Sequence, residues 1–349
     1  MSAALTVGVE EEYLLVDPVT GENTSVVDQV TAKLPEHLAS RSRMEFRPCM
    51  AEMVTEPRVE LSDVRDQLRE NRSAVAAAAA TAGVLALPVG ATPIAEADRR
   101  PTDDPRFTAI AGHYGAVAHD PAVCGTHVHV GVPSRAAAID VCRRIRAWLP
   151  VLQALTVNSP VHAGADTGYA SWRAVQLDRW PSLGPIPHFG SADEYDSAVD
   201  SLVASGVMLD RSMVLWHVRP SAKYPTVEVR VADTQVSVED AVVLAALVRG
   251  LVATAVDDEP AVADHLLAAA HWNAARSGLN GTLLDPRSGR ARSAWSLVDE
   301  LAARCGDVDV VHSGLERLHR QGTGADRQRE LITRTGSIPA MLRELALST

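Results

Sequence analysis

Val7-Gly8-Val9-Glu10-Glu11-Glu12-Tyr13-Leu14-Leu15-Val16 combines aliphatic and aromatic side chains with three consecutive carboxylates. Valine and tyrosine favour β-strands, so this run reads as a strand. Successive side chains of a strand point to opposite faces, and Glu10 and Glu12 therefore share one face. The stretch predicts a sheet whose strands carry ionisable side chains on one face.

Three further segments extend this pattern. Gly125-Thr126-His127-Val128-His129-Val130-Gly131 aligns two imidazoles against valines, and Thr226-Val227-Glu228-Val229-Arg230-Val231 aligns a carboxylate with a guanidinium. Glu45 and Glu52 are seven residues apart, which would place them on opposite faces of a continuous strand. Both can belong to the same site only if the chain bulges or breaks near Pro48, which cannot donate a ladder hydrogen bond.

A sheet face with this many acids points to a bound cation. Carboxylates a few ångströms apart resist ionising together, and burial makes each charge harder to sustain. Hard divalent cations such as Mg²⁺ or Mn²⁺ relieve the repulsion by accepting carboxylate oxygens as ligands. Magnesium sites of this kind usually hold phosphates, so the pattern favours a phosphate-handling protein.

Composition describes an ordinary globular chain of 349 residues. It is 46% hydrophobic with a mean hydropathy near zero, and no stretch approaches the roughly 20 apolar residues that cross a bilayer. Met1-Ser2-Ala3-Ala4-Leu5 lacks the features of a signal peptide, so we expect a cytoplasmic protein. The four cysteines form no CxxC pair, which favours reduced thiols over a disulfide framework or a thiolate zinc site.

The charged residues indicate small-molecule substrates. A net charge of -11 argues against nucleic-acid or anionic-membrane partners. Of the 33 basic residues only Lys33 and Lys223 are lysines, and neither follows a glycine-rich phosphate-binding loop. If the protein binds ATP, arginines and metal ions must hold the phosphates.

The chain reads as a single domain over 1–349, with no internal repeat or linker. Strands and turns dominate the first sixty residues, and Gly, Pro and Trp crowd the irregular segment 158–189, which is typical of functional loops. Helices are expected over 63–83, from Ser134 to Val157, after the capping-box pair Ser191 and Glu194, and from Ser237 to Val256. From about 259 to 349 we expect mostly helix, interrupted at 278–289 and 322–324.

Taken in order, the motifs resemble those of the type 2 glutamate-cysteine ligases, also called YbdK-like carboxylate-amine ligases. The resemblance covers nearly the whole chain. The matching motifs are Gly8-Val9-Glu10-Glu11-Glu12, Cys124-Gly125-Thr126-His127-Val128-His129-Val130-Gly131, Asn158-Ser159-Pro160, Thr167-Gly168-Tyr169-Ala170-Ser171-Trp172-Arg173, Thr226-Val227-Glu228-Val229-Arg230 and Gly322-Thr323-Gly324-Ala325-Asp326-Arg327-Gln328-Arg329.

The resemblance implies an α+β fold like that of glutamine synthetase, in which a curved antiparallel sheet forms the active-site funnel and helices pack on its outer face. The implied reaction uses ATP to join the γ-carboxylate of glutamate to the amine of cysteine through an acyl phosphate. A homodimer is also expected from the family.

The same resemblance assigns roles to particular residues. Two or three Mg²⁺ ions, or Mn²⁺, would be held by Glu10, Glu12, Glu45, Glu52, His127 and Glu228. Phosphoryl and substrate carboxylates would be bound by Arg230, Arg173 and Arg219, with Glu228 also catalytic. We also expect His129 to contact the nucleotide and Tyr169 and Trp172 to shape the substrate pocket, although packing alone would equally explain the two aromatic residues.

Other interpretations of these residues remain open at this point. His127 and His129 could bind zinc, although no third soft ligand lies at a diagnostic spacing, and His129 could be structural. Glu228 and Arg230 could form only a salt-bridged strand pair. The protein could instead transfer phosphate to a guanidino or other nitrogen acceptor, use another amine, or bind Mg-nucleotide without catalysis.

Overall fold

The computed structural model describes residues 5–255 and 262–348. Its main feature, within those residues, is a seven-stranded antiparallel sheet with the order β10-β11-β5-β1-β3-β2, in which β4 also pairs with β1. Its strands are β1 (Val7–Val16), β2 (Ser42–Arg43), β3 (Met50–Val54), β4 (Leu85–Leu87), β5 (Gly125–Gly131), β10 (Val218–Pro220) and β11 (Thr226–Asp233). Six short strands pair outside this sheet: β6 (Val161–His162), β7 (Ala165–Asp166), β8 (Leu183–Gly184), β9 (Leu215–Trp216), β12 (Thr282–Leu284) and β13 (Ala291–Ser293).

Helices separate and surround these strands. They are α1 (Val27–Thr31), α2 (Glu36–Ala39), α3 (Leu61–Thr81), α4 (Pro105–Tyr114), α5 (Arg135–Ile145), α6 (Leu149–Leu155), α7 (Trp172–Leu177), α8 (Ala192–Ala204), α9 (Val238–Ala253), α10 (Asp264–Ser277), α11 (Ala294–Ala302), α12 (Val308–Gln321), α13 (Gly324–Thr335) and α14 (Ile338–Leu345). Short 3₁₀ turns cover Gly115–His119, Arg146–Trp148 and Arg211–Met213. No helix of residues 5–255 and 262–348 is long and apolar enough to cross a membrane.

The apolar face of the sheet supports the main core. Val9, Val128 and Val229 are buried on this face and belong to the same hydrophobic cluster as α9. Helix α9 is apolar around most of its circumference because it is enclosed by the sheet, α3 and α12. The predicted α+β fold with an antiparallel sheet and helices on its apolar face is therefore confirmed.

Strand register places the ionisable residues in rows on the opposite face. Strand β1 lies between β5 and β3, and directly opposed residues of antiparallel strands point to the same side. Neighbouring pairs on this face are Glu10 with His127, Glu12 with Glu52, His129 with Glu228, and Glu228 with Arg219.

Helix positions follow the capping signals closely. Ser134, Ser191 and Ser237 are the N-caps of α5, α8 and α9, as predicted. Glu194 does not complete a capping box with Ser191, because its carboxylate accepts the amide of Gly190 instead.

Several element boundaries differ from the sequence prediction. The helix expected from Ser134 to Val157 is divided by the 3₁₀ turn at Arg146–Trp148, and α9 ends at Ala253, while Val256 lies outside the described residues. The first sixty residues include the short helices α1 and α2. The described residues after 262 are mostly helical but contain the hairpin β12–β13, where only an interruption was expected.

Glu11, the middle acid of the opening triplet, points into the protein and away from its two neighbours. Its carboxylate accepts Arg72 Nη2 at 2.5 Å and Nε at 3.0 Å, and the Tyr13 hydroxyl donates to it at 2.7 Å. Arg72 also donates to the carbonyls of Gln235 and Val236, so it ties α3 to the chain between β11 and α9.

Arg72→Met should lower the free energy of unfolding by about 3 kcal/mol, because it leaves the buried Glu11 carboxylate without its countercharge. Urea denaturation monitored by circular dichroism would measure the change. Arg334→Met is the matched control, since Arg334 pairs with Glu344 on the surface and its loss should change stability by less than about 1 kcal/mol. Equal effects of the two variants would contradict the structural role of the Glu11–Arg72 pair.

Candidate active site

One group of predicted ligands lies where β1, β5 and β11 are adjacent. Glu10 Oε1 lies 3.2 Å from His129 Nε2, and a ligand atom from each of Glu10, His129 and Glu228 falls within 4.8 Å of the others. Thr226 Oγ1 lies 3.0 Å from His129 Nδ1 and orients this ring. The three residues are close enough to share one cation.

A second group comprises Glu12, Glu45 and Glu52. A turn at Arg47-Pro48-Cys49 precedes β3, so the chain does break near Pro48, and Glu45 and Glu52 meet although seven residues separate them. Burial raises the pKa of Glu52 well above its usual value, and the adjacent Glu45 carboxylate raises it further. Burial likewise raises the pKa of Glu12.

His127 lies between the two groups. Its Nδ1 is 3.3 Å from Glu10 Oε2, and its Nε2 is 3.8 Å from Glu12 Oε1. Burial and the charge of Arg230 lower the pKa of His127, so the imidazole is neutral near pH 7. Its Nε2 is buried and has no hydrogen-bond partner among the described residues, as expected of a ring that can ligate a cation.

The chemistry of this donor set fits hard divalent cations. Four carboxylates and two imidazoles lie on one sheet face, Glu45 reaches Glu52 from the segment before β3, and no cysteine is among these seven residues. Oxygen-rich sets of this kind suit Mg²⁺ or Mn²⁺, whereas structural zinc sites are usually tetrahedral and built from cysteine and histidine. Burial first, and then the Glu45 carboxylate, raise the pKa values of Glu12 and Glu52, and a bound cation would favour the charged forms of both.

Mg²⁺ should therefore raise the unfolding temperature of the protein without nucleotide. At about a hundredfold excess over the dissociation constant, binding to the folded state alone adds about 2.7 kcal/mol. Differential scanning fluorimetry with MgCl₂, against NaCl of equal ionic strength, would measure the shift. The shift should shrink in Glu52→Gln, and an identical response of that variant would remove Glu52 from the ligand set.

Two arginines bind the carboxylate of Glu228. Arg219, which lies on strand β10, donates Nε and Nη2 to the carboxylate at 2.8 and 3.0 Å. Arg230 also contacts Glu228, and its Nη1 lies 3.4 Å from His127 Nδ1. Although burial disfavours a charge here, Arg230 and Arg219 hold the pKa of Glu228 below its usual range.

Arg173 also lies in regular structure rather than in the predicted loop. It is the second residue of helix α7, whose N-cap Ser171 accepts the amide of Ala174. The side chain is only 5% exposed, and its guanidinium lies against the backbone of Gly125, where a Cβ atom would approach Nη2 to 2.4 Å. The absence of a side chain at Gly125 therefore makes room for Arg173.

A cavity of about 260 Å³ lies beside several of these acids and arginines. Five predicted site residues line its charged part, namely Glu12, Glu45, His127, Arg173 and Arg230. The opposite walls are mostly apolar and include Phe46, Phe107, Ile110, Trp180 and Leu215. A bulge in β11 after Val229 places the consecutive residues Arg230 and Val231 at this cavity.

Two charged lining residues, Arg47 and Asp120, and three uncharged ones were not anticipated from the sequence; the uncharged residues are Gln153, Gln176 and His217. His217 packs against His271 with ring centroids 4.1 Å apart, and burial with the charge of Arg173 lowers the pKa of His217 to about 3. Gln153 is held by His271, whose carbonyl accepts its Nε2 at 3.1 Å. The three uncharged residues form a polar wall beside the arginines.

Tyr169 and Trp172 do not line this cavity. They belong to a separate aromatic group in which Trp172 stacks on His162 and Tyr169 contacts Trp272 and Arg276. The structure thus brings the acids, His127, Arg173 and Arg230 to one site, places Arg219 behind Glu228, and puts the two aromatic residues elsewhere.

Comparisons with known proteins agree with this architecture. The model of the glutamate-cysteine ligase family 2 matches residues 6–344. A protein of Salinispora tropica is 51% identical over 99% of this chain and 95% of its own length, and one of Mycobacterium sp. strain KMS is 44% identical over all of both chains. Both carry the name "Putative glutamate-cysteine ligase", with the suffix 2 or 2-2.

Solved structures show the same fold at low sequence identity. A glutamate-cysteine ligase of Francisella tularensis in complex with AMP has a TM-score of 0.74 at 14% identity, covering 99% of this chain and 88% of that one. A bifunctional glutathione synthetase of Pasteurella multocida has a TM-score of 0.72 at 14% identity, covering 98% and 51%.

The family match and the relatives define a ligase that forms a C–N bond. Because the family model spans nearly the whole chain and close relatives share about half of its residues, the chain belongs to the glutamate-cysteine ligase family 2, as its motifs indicated.

Proposed function

We propose that this protein joins the γ-carboxylate of glutamate to the amine of cysteine. The γ-carboxylate oxygen attacks the γ-phosphorus of ATP, giving an acyl phosphate and ADP. The amine then attacks the acyl carbon, loses a proton and expels inorganic phosphate, leaving an amide. The observation that carries this proposal is a cavity lined by the arginines Arg173 and Arg230, by the carboxylates of Glu12 and Glu45, and by His127, whose pKa is lowered.

The residues suit a reaction that brings anions together. Mg²⁺ ions, two or three in number, or Mn²⁺, would be held by Glu10, Glu12, Glu45, Glu52, His127 and Glu228 and would neutralise and orient the phosphates. Arg230 presents a planar fork at the cavity and is oriented by Glu228. Arg173 offers a second fork for a substrate carboxylate, as planar bidentate recognition requires.

The apolar walls supply a further requirement of the chemistry. An acyl phosphate is hydrolysed if water reaches it before the amine does. Phe46, Phe107 and Trp180 line the same cavity as Arg173 and limit the room for water there. The polar wall of Gln153 and His217 can accept or donate hydrogen bonds to the amino acid substrates without adding charge.

We further propose that the whole chain acts as one catalytic domain, in the cytoplasm, and as a homodimer. The relatives' names and full-length matches support the substrates, and the net charge of -11 supports small-molecule rather than nucleic-acid partners.

The test is ADP release with Mg²⁺, ATP and glutamate, with and without a panel of amines that includes cysteine. Mass spectrometry of the products should show a species lighter by one water than glutamate plus cysteine. If a condensed product forms with another amine and not with cysteine, that amine is the second substrate. ADP release without condensation would favour phosphotransfer, and no ADP release under any condition would contradict the proposal.

A further inference from the structure

Asp233, the last residue of β11, lies outside every motif discussed so far and is only 2% exposed. Its Oδ2 accepts the Asn158 amide at 2.8 Å and the Ser159 hydroxyl at 2.7 Å, and its Oδ1 accepts the Ser171 hydroxyl at 2.9 Å. Gly90 packs directly on the carboxylate, since a Cβ atom there would lie 2.6 Å from Cγ. The carboxylate is therefore held in a single orientation.

The oxygen that accepts Ser171 also faces Arg173. Arg173 Nη1 lies 4.0 Å from Asp233 Oδ1, and its Nη2 donates to the Arg230 carbonyl at 3.3 Å. Its Nε is buried without a partner among the described residues. Asp233 thus supplies a countercharge to this buried guanidinium at a distance that leaves most of the donors free for a ligand.

The same hydroxyls also position the backbone that carries Arg173. Ser159 Oγ donates to Asp233 and accepts the Arg173 amide at 3.1 Å, while Ser171 Oγ donates to Asp233 and caps helix α7. Asp233 therefore fixes both the start of this helix and the charge environment of its arginine.

We propose that Asp233 is a positioning residue that aims the Arg173 guanidinium into the cavity to bind a carboxylate of the acid substrate. This inference rests on the proposed function, because it takes Arg173 as the group that binds that carboxylate. Asp233 itself does not line the cavity and acts through Arg173.

The arrangement extends to the C-terminal part of the chain. Gln328 on α13 donates Nε2 to the Asn158 carbonyl at 2.8 Å and to Asn158 Oδ1 at 2.7 Å. Asn158 Nδ2 in turn donates to the carbonyls of Pro88 and Thr234. The segment that presents its amide to Asp233 is thus held by three separate parts of the chain.

The test compares Asp233→Asn with Asp240→Asn. Asp240 is also buried and binds two arginines, but neither Arg317 nor Arg327 lines the cavity as Arg173 does, so Asp240 controls for loss of a buried ion pair. Asp233→Asn should raise KM for glutamate roughly tenfold and leave KM for ATP unchanged within about twofold. Equal changes in both KM values, or an unchanged KM for glutamate, would overturn the proposal.

If Asp233→Asn fails to fold, Ser171→Ala decides the question. This variant removes the hydroxyl that donates to Asp233 Oδ1, the oxygen facing Arg173, and should raise KM for glutamate selectively. Ser171→Thr keeps a hydroxyl and should have the wild-type KM for glutamate. Failure of the threonine variant to restore KM would count against the proposal. An Ser171→Ala variant with wild-type KM for glutamate would also overturn it.

Arg173→Met separates failure of this inference from failure of the proposed function. It should raise KM for glutamate at least as much as Asp233→Asn, and combining the two should add no further increase. If Arg173→Met leaves KM for glutamate unchanged, the proposed role of Arg173 is wrong. If it raises KM while Asp233→Asn does not, only the role of Asp233 is wrong.

Discussion

Glu228→Gln should lower kcat at least roughly 100-fold. The substitution keeps the size of the side chain but removes the charge that Arg219 and Arg230 share and that a cation beside Glu10 and His129 requires. Initial rates of ADP release at several Mg²⁺ concentrations would measure kcat and the cation requirement together. Circular dichroism would show whether the variant folds.

Glu239→Gln is the matched control for this experiment. Glu239 also binds two arginines, Arg65 and Arg69, but at the surface, and its loss should leave kcat unchanged. A folded Glu228→Gln protein with wild-type kcat at saturating Mg²⁺ would remove Glu228 from the catalytic site.

Arg230→Lys should lower kcat by about tenfold to 100-fold although the charge is retained. Arg230 contacts Glu228, approaches His127 and lines the cavity, and the single ammonium of lysine cannot reproduce a planar fork that serves these directions at once. Steady-state kinetics with ATP and glutamate varied separately would measure kcat and both KM values.

Arg219→Lys supplies the comparison for this second variant. Arg219 binds the same carboxylate but does not line the cavity, so its substitution should reduce kcat less. An Arg219→Lys effect as large as that of Arg230→Lys would indicate that both arginines only support Glu228.

The sheet and the acids on it were predictable from the sequence because strand alternation is a local rule. Glu10, Glu12, His127 and His129 occupy every second position in strands, so their common face follows without knowledge of the partners. The contact between Glu45 and Glu52 was predicted only if the chain bulges or breaks near Pro48. The sequence could indicate this break because a proline in a strand is a local signal.

Residues whose function depends on distant neighbours were not predictable in this way. Asp233 gives only a weak signal, a polar residue that ends an apolar strand, and its four partners come from segments about 60 to 75 residues earlier. Gln153 and His217 are isolated polar residues whose surroundings are set by tertiary packing. No short-range pattern distinguishes them from ordinary surface residues.

One local signal was overlooked in the sequence, and one pair of residues was assigned without any local signal. The hairpin β12–β13 turns at Asp285-Pro286-Arg287-Ser288-Gly289, where Asp285 accepts the Arg287 amide and Gly289 has a φ of 66°. That composition is typical of a turn between strands. Tyr169 and Trp172 were placed in the substrate pocket by motif alone, and motif position says nothing about the direction of a side chain.

The central position of β1 affects how the chain is made. Along the chain, β1 precedes β5 by more than 100 residues, and it precedes β11, which completes the row of ionisable residues, by more than 200. Until β5 follows, the part of β1 that pairs with it has an open edge, and an unpaired strand edge can associate with other chains. Nascent chains that stop before Gly125 should therefore aggregate or bind chaperones, and those that reach β11 should not.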